Sequence, residues 1–328
     1  MIPPKLKPGD GVRVISPAYS GAMIPNTVRE RATKTLQKLG LTVTYGDNWK
    51  AQDIMETSSV QSRTEDLHEA FADDKVQMVH STIGGLSSNQ LLQHINWRII
   101  KDNPKIFLGY SDNTVLQNAI LEKTGLVTYS GPNFNTLAWN NSHMLHFFKN
   151  CLWRTQSYEI KPSSYWYEGD LWWPNKLQEH KNKGFFMISK GSAEGRIIGG
   201  NLSSLHLLQG TEFMPSLKKS ILFLEETATV EVQSTLGVFD RMLQSLIQTR
   251  AFKGVRGIVF GRFAAKAKIT DVQIKHMIYS KPELNNMPVI ANCDFGHTHP
   301  QFTFPIGGTA QISSGKKGKQ ANLKILEH

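Results

Sequence analysis

Cysteine is almost absent from this chain: among 328 residues there are only Cys151 and Cys293. Two such residues do not make a disulfide framework, and a reducing compartment suits the chain. Long apolar runs are missing too. No stretch approaches the roughly 18 consecutive apolar residues that cross a bilayer. The opening Met-Ile-Pro-Pro-Lys-Leu-Lys-Pro-Gly-Asp has no apolar run behind its basic residues, so it does not read as a secretory signal. A cytoplasmic protein is the expectation. There is no internal repeat, and no zinc-finger, RNA-binding or basic-zipper pattern. The formal net charge is +10, but the basic residues are spread out, with one short cluster at Lys316-Lys317-Gly318-Lys319. A solvated basic surface is therefore a plainer reading than a nucleic-acid partner. The final Leu326-Glu327-His328 looks like the start of a purification-tag scar and is set aside as a tag remnant.

What is present is a rhythm. Apolar strands at residues 12–16, 41–45, 76–81 and 105–110 alternate with amphipathic helices at 28–39, 64–72, 88–94 and 113–123. Val28, Ala32, Leu36 and Leu39 share one helical face, and Gly40 follows where a helix-ending glycine belongs. Strand and helix in alternation predict an α/β fold with a parallel sheet covered on both faces. The rhythm breaks over 152–191, a Trp-rich, aperiodic stretch read as a linker or large loop. It returns with strands at 220–224, 255–260 and 289–292, a helix at 232–247, and a pair of short strands within 303–312. The predicted organisation is a Rossmann-like domain over 1–151, the linker over 152–191, and a C-terminal α/β domain over 192–325.

Three polar residues each follow a strand. Ser111 follows the fourth strand, Glu225 follows 220–224, and His297 lies shortly past 289–292. Residues beyond the carboxyl ends of parallel strands face the crevice where such sheets bind ligands. Ser111 stands in Gly109-Tyr110-Ser111-Asp112, between strand and helix, where a sharp turn exposes a hydroxyl. The amides of Asp112 and of Gly85, in Thr82-Ile83-Gly84-Gly85, are candidate oxyanion donors. Glu225 could orient an imidazole, and His297 could carry the serine proton. Each piece has a plainer reading: a helix cap at Ser111 or Asp112, a tight turn at the glycines, a strand-end carboxylate at Glu225. Cys293, His297 and His299 match no standard zinc spacing, so no metal and no cofactor is expected. Two α/β domains around a cleft also describe non-catalytic small-molecule binders.

Several segments together resemble the LD-carboxypeptidase family of serine peptidases. They are Lys7-Pro8-Gly9-Asp10, Ser16-Pro17, Gly109-Tyr110-Ser111-Asp112, Gly199-Gly200-Asn201-Leu202, Leu222-Phe223-Leu224-Glu225 and Phe295-Gly296-His297. The resemblance implies a Ser111, Glu225, His297 triad, no metal, and a homodimer. It also implies that Asn201 hydrogen-bonds the amino-acid part of a substrate. The family has a branch that trims murein tetrapeptides. Another branch resembles a microcin self-immunity protein, cleaving the amide between an aminoacyl group and a nucleotide-like moiety. Ser81-Thr82-Ile83-Gly84-Gly85-Leu86 departs from the murein branch, and Tyr129-Ser130-Gly131-Pro132-Asn133-Phe134 looks like the immunity branch. In that branch a tryptophan of the aperiodic stretch, Trp166 or Trp173, would stack on a purine.

Overall fold

Short runs of β-branched and aromatic residues, apolar on both faces, form strands that stay stable only when covered above and below. The computed structural model of the chain, which describes residues 1–169, 176–228, 232–314 and 321–328, collects them into two large sheets. The first contains β1 (Gly11–Ile15), β2 (Thr42–Tyr45), β3 (Val76–Ser81), β4 (Ile106–Gly109) and β5 (Thr128–Ser130), all parallel. Its remaining strand, β14 (Phe304–Ile306), comes from far along the chain and pairs antiparallel with β5. The order β14-β5-β4-β3-β1-β2 puts the reversal of winding between β1 and β3, the place where doubly wound sheets open a crevice. Helices α1 (Asn26–Lys38), α2 (Val60–Ala72), α3 (Trp97–Asp102), α4 (Thr114–Thr124) and α5 (Ser142–Trp153) belong to this half. The first buries Val28, Ala32 and Leu36, as the periodicity predicts.

The second sheet runs β6-β16-β15-β10-β11-β12-β13-β9. Its parallel centre is β10 (Ser192–Asn201), β11 (Ser220–Glu225), β12 (Val255–Gly261) and β13 (Val289–Cys293). Antiparallel strands flank it: β15 (Thr309–Ser314), β16 (Ala321–Glu327) and β6 (Tyr158–Ile160) on one side, β9 (Phe186–Ser189) on the other. Helices α6 (Leu202–His206), α7 (Val232–Ile247) and α8 (Asp271–Tyr279) complete this half. A separate hairpin pairs β7 (Tyr165–Glu168) with β8 (Gln178–Lys181). The fold is mixed α/β with parallel-stranded sheets in two halves. No helix among the described residues is long and apolar enough to cross a membrane.

Three expectations change. The described residues 152–169 and 176–191 hold four strands, two of them at opposite edges of the second sheet, and are built into the fold. Edge and hairpin strands are half exposed and need no continuous apolar run, which hides them from a search for apolar strands. The pair of short strands within 303–312 is divided between the two sheets. The three residues set aside as a tag scar are part of the structure: Leu326 and Glu327 lie in β16, and His328 is buried against the Tyr158 ring.

One apolar core runs through both halves. Ile15, Phe107 and Leu116 from the first share a continuous buried cluster with Phe223, Phe260 and Ile290 from the second. The α4 helix is the joint: Asn118 Nδ2 donates to Gly199 O at 2.9 Å, and Asn201 N donates to Thr114 Oγ1, also at 2.9 Å.

Candidate active site

The first sheet delivers a serine at the end of β4. Ser111 opens a 3-10 turn of three residues that runs into α4, and its φ is +66°, left-handed for a residue with a side chain. Such a conformation costs on the order of 1–2 kcal/mol and persists only where the surroundings enforce it. Here Tyr110 N donates to Asn133 Oδ1 at 3.0 Å, and Gln117 Nε2 donates to Gly109 O at 2.8 Å. Gly84 closes over the serine: a Cβ there would lie 2.9 Å from Ser111 Cβ and 3.0 Å from its Oγ. Only glycine allows that approach.

The second sheet delivers a carboxylate and an imidazole. Glu225 ends β11, fully buried, and His297 follows β13 through a loop. Gly296 has φ +94°, and a Cβ on it would fall 2.4 Å from Glu225 Oε2. The bare glycine lets the carboxylate reach the next residue's ring.

The three side chains meet. His297 Nδ1 is 2.7 Å from Glu225 Oε2, and His297 Nε2 is 3.1 Å from Ser111 Oγ. A carboxylate can only accept, so Nδ1 carries the proton and Nε2 presents its lone pair to the serine hydroxyl. Burial pulls the His297 pKa down, but the charge and hydrogen bond of Glu225, with Glu226 behind it, outweigh burial and raise it above the ordinary imidazole value. The Tyr110 ring lies edge-on to this imidazole at 5.3 Å.

The Glu225-Glu226 pair divides its labour. Glu226 points the other way and accepts from Asn201 Nδ2 at 3.0 Å, Ser203 N at 3.1 Å, the Ser203 hydroxyl, and Thr227 N at 3.0 Å. Burial, then the neighbouring Glu225 charge, push its carboxyl pKa up.

Asp112 follows Ser111 directly, and Gly85 follows the Gly84 that packs against it. The Gly85 N–H has no acceptor among the described residues. Asp112 is the second residue of its turn, where a backbone N–H has no partner within the helix. Asn201 ends β10, beside Glu226. It is buried, caps α6 by accepting from Ser204 N at 3.0 Å, and spends an amide proton on Glu226.

A cleft of about 710 Å³ opens over His297 and is bordered by Tyr110, Glu168, His180, Lys266 and His299. Trp166 is not on its lining. Its ring stacks on His180 at 4.1 Å, and the Arg262 guanidinium lies 5.2 Å from it. The imidazole of His180 is therefore the ring presented to the cleft. Trp173 falls outside the described residues. His299 is buried, which together with the nearby His297 pushes its pKa down to about 3. Among the described residues no three His, Cys, Asp or Glu side chains gather as a metal site. Sequence reasoning gave no role to Tyr110, Asn133, Glu226 or His180. Asn133 stands in a segment singled out for resemblance, but its bond to Tyr110 N spans 23 positions and leaves no local signature.

Comparison with known proteins adds the family. A model described as the LD-carboxypeptidase N-terminal domain matches residues 12–131, and one for the C-terminal domain matches 194–312. The chain belongs to the LD-carboxypeptidase family. YocD of Bacillus subtilis (strain 168) is 43% identical over 314 residues, covering 94% of this chain and 95% of its own. The crystal structure of an MccF-like protein from Bacillus anthracis superposes with a TM-score of 0.97 at 46% identity, covering 100% of both chains. The microcin C7 self-immunity protein MccF of Escherichia coli is 29% identical, over 97% of this chain and 94% of its own. Solved structures of MccF contain glutamyl sulfamoyl guanosine (TM-score 0.86, 27% identity, covering 99% of this chain and 98% of that one) or aspartyl sulfamoyl adenosine (0.87, 28%, covering 100% and 99%).

Proposed function

We propose that this LD-carboxypeptidase family member is a serine hydrolase that cleaves the amide of aminoacyl- or peptidyl-nucleotide conjugates. The hydrogen-bonded chain from Ser111 Oγ through His297 to Glu225 carries the reading. His297 Nε2 takes the serine proton as Oγ attacks the carbonyl carbon. The resulting oxyanion faces the N–H groups of Gly85 and Asp112. The imidazolium, held by Glu225, protonates the leaving nitrogen, and the C–N bond breaks to leave an acyl-serine. Water then attacks the ester, gives its proton to His297, and releases the acid and the free hydroxyl.

The nucleotide half rests on the kinship with MccF and on a cleft with room for a ligand of that size. His180 supplies the flat face for a base. The test compares the protein with Ser111→Ala on two substrates, read by mass spectrometry: an aminoacyl sulfamoyl adenosine and a murein L,D-tetrapeptide. Cleavage of the adenosine conjugate by the parent alone is expected. Loss of D-alanine from the tetrapeptide instead would move the protein to cell-wall recycling. Equal activity in both proteins would remove Ser111 as nucleophile.

A further inference from the structure

The loop that carries Gly85 is fixed from the side away from the cleft. Between Ile83 and Gln90 the backbone is held on either side of Gly85 and Leu86. Ile83 O accepts from Ser81 Oγ at 3.0 Å, and Gly84 O accepts from Tyr19 N at 3.1 Å. At the far end the Asp112 carboxylate accepts two successive amides with one oxygen: Ser87 N at 3.0 Å and Ser88 N at 2.8 Å. The Ser88 hydroxyl returns a bond to Asp112 O at 2.8 Å. Both serines and Asp112 are buried.

Behind this contact lies Arg63 of α2, 2% exposed and, among the described residues, without a carboxylate in salt-bridge contact. Its guanidinium binds loops instead. Nε donates to Ser58 O at 3.0 Å. Nη1 donates to Pro17 O at 3.1 Å and Ser87 O at 2.9 Å, and Nη2 donates to Gln90 Oε1 at 2.6 Å. A buried guanidinium is costly, and a lysine could not span these acceptors, which lie in different directions. Burial pulls the Arg63 pKa down, against the favourable charges of Asp53 and then Asp112.

We propose that the Asp112 side chain, backed by Arg63, is a positioning residue that locks the Gly85 amide in register with the Asp112 amide. One residue then serves both halves of the oxyanion hole: its backbone provides one donor, and its carboxylate fixes the loop that provides the other. The inference rests on the serine-hydrolase reading above. It adds that the hole's geometry is set by a side chain that touches no substrate.

The test is the rate at which a fluorophosphonate labels Ser111, located by peptide mapping, because the phosphoryl oxygen must enter the same hole. Asp112→Ala is expected to slow labelling by about 100-fold, the scale of one lost oxyanion donor. The saturation constant should stay within about twofold, since the cleft is untouched. Asp112→Asn keeps an oxygen in place and should recover most of the rate. Arg63→Lys, which keeps the charge but not the fork, should slow labelling by about tenfold and decides the matter if Asp112→Ala does not fold. Rates within threefold of the parent in both Asp112→Ala and Arg63→Lys would overturn the inference while leaving the hydrolase reading intact. An adduct that persists in Ser111→Ala, or no adduct in the parent, would overturn both.

Discussion

Ser111 and Glu225 sit at strand ends in the middle of two large sheets, whereas the hairpin of β7 and β8 forms a two-stranded sheet of its own. The floor of the cleft is held by the core. The hairpin is held at a few points: backbone bonds between Tyr167 and His299, the Arg262 guanidinium against the Trp166 ring, and the Glu168 carboxylate that accepts from the Lys266 amide. An isolated hairpin is marginal in water, so these anchors decide its position. The contrast assigns chemistry to the part that cannot move and recognition to the part whose side chains can be exchanged at small cost.

Four outcomes would sharpen or break that contrast. Ser111→Ala should lower kcat by at least about 10⁴-fold without changing the melting temperature by more than a few degrees. Glu225→Gln should lower kcat by about 10²–10⁴-fold, because the imidazole loses its orienting charge. That variant also has a signature in pH. The base works only when neutral, so a raised His297 pKa places the acid limb of kcat/KM above the ordinary histidine range. Removing the carboxylate should move that limb to lower pH. An unmoved limb would mean that another group titrates there.

The third outcome probes an anchor of the wall. Arg262 Nη2 bonds Asp294 at 2.9 Å, and Asp294 also accepts from Ser163 N at 2.8 Å, both charged groups being almost wholly buried. Arg262→Ala leaves that carboxylate unpaired and should cost roughly 3–5 kcal/mol in urea unfolding, more than any change in turnover per folded molecule. The smallest effect is expected at His180→Ala. It should raise KM by about 3–10-fold and leave kcat within threefold, as loss of one stacking face would. A large fall in kcat there would erase the division between floor and wall.

The sequence singles out Ser111, Glu225 and His297 because each follows an apolar strand, and strand ends are visible in local patterning. Their convergence is another matter: His297 and Ser111 are 186 positions apart, and no periodicity encodes that meeting. Glu225 could be preferred over Glu226 because it directly follows Leu224, and the structure turns it toward His297. The bonds that Asn201 makes to Ser204 N and Glu226 were not legible, because an amide that caps a helix and one that binds a ligand are the same residue type before packing is known. The hairpin was illegible because its strands of four residues are aromatic, charged and half exposed, with no buried stripe to detect.

Strand β14 carries a consequence for the order in which the molecule can be made. The first sheet is complete only when Phe304–Ile306 lie beside Thr128–Ser130, 174 positions after Ser130 is added. At roughly 5–20 residues per second, a ribosome takes about 10–35 s to supply them. During that interval the β5 edge stands unpaired and Phe223 lacks the Phe304 ring that packs against it. Newborn chains must therefore shelter an open sheet edge until Phe304–Ile306 have been made, which makes the supply of that segment the step that commits the first sheet to its final form.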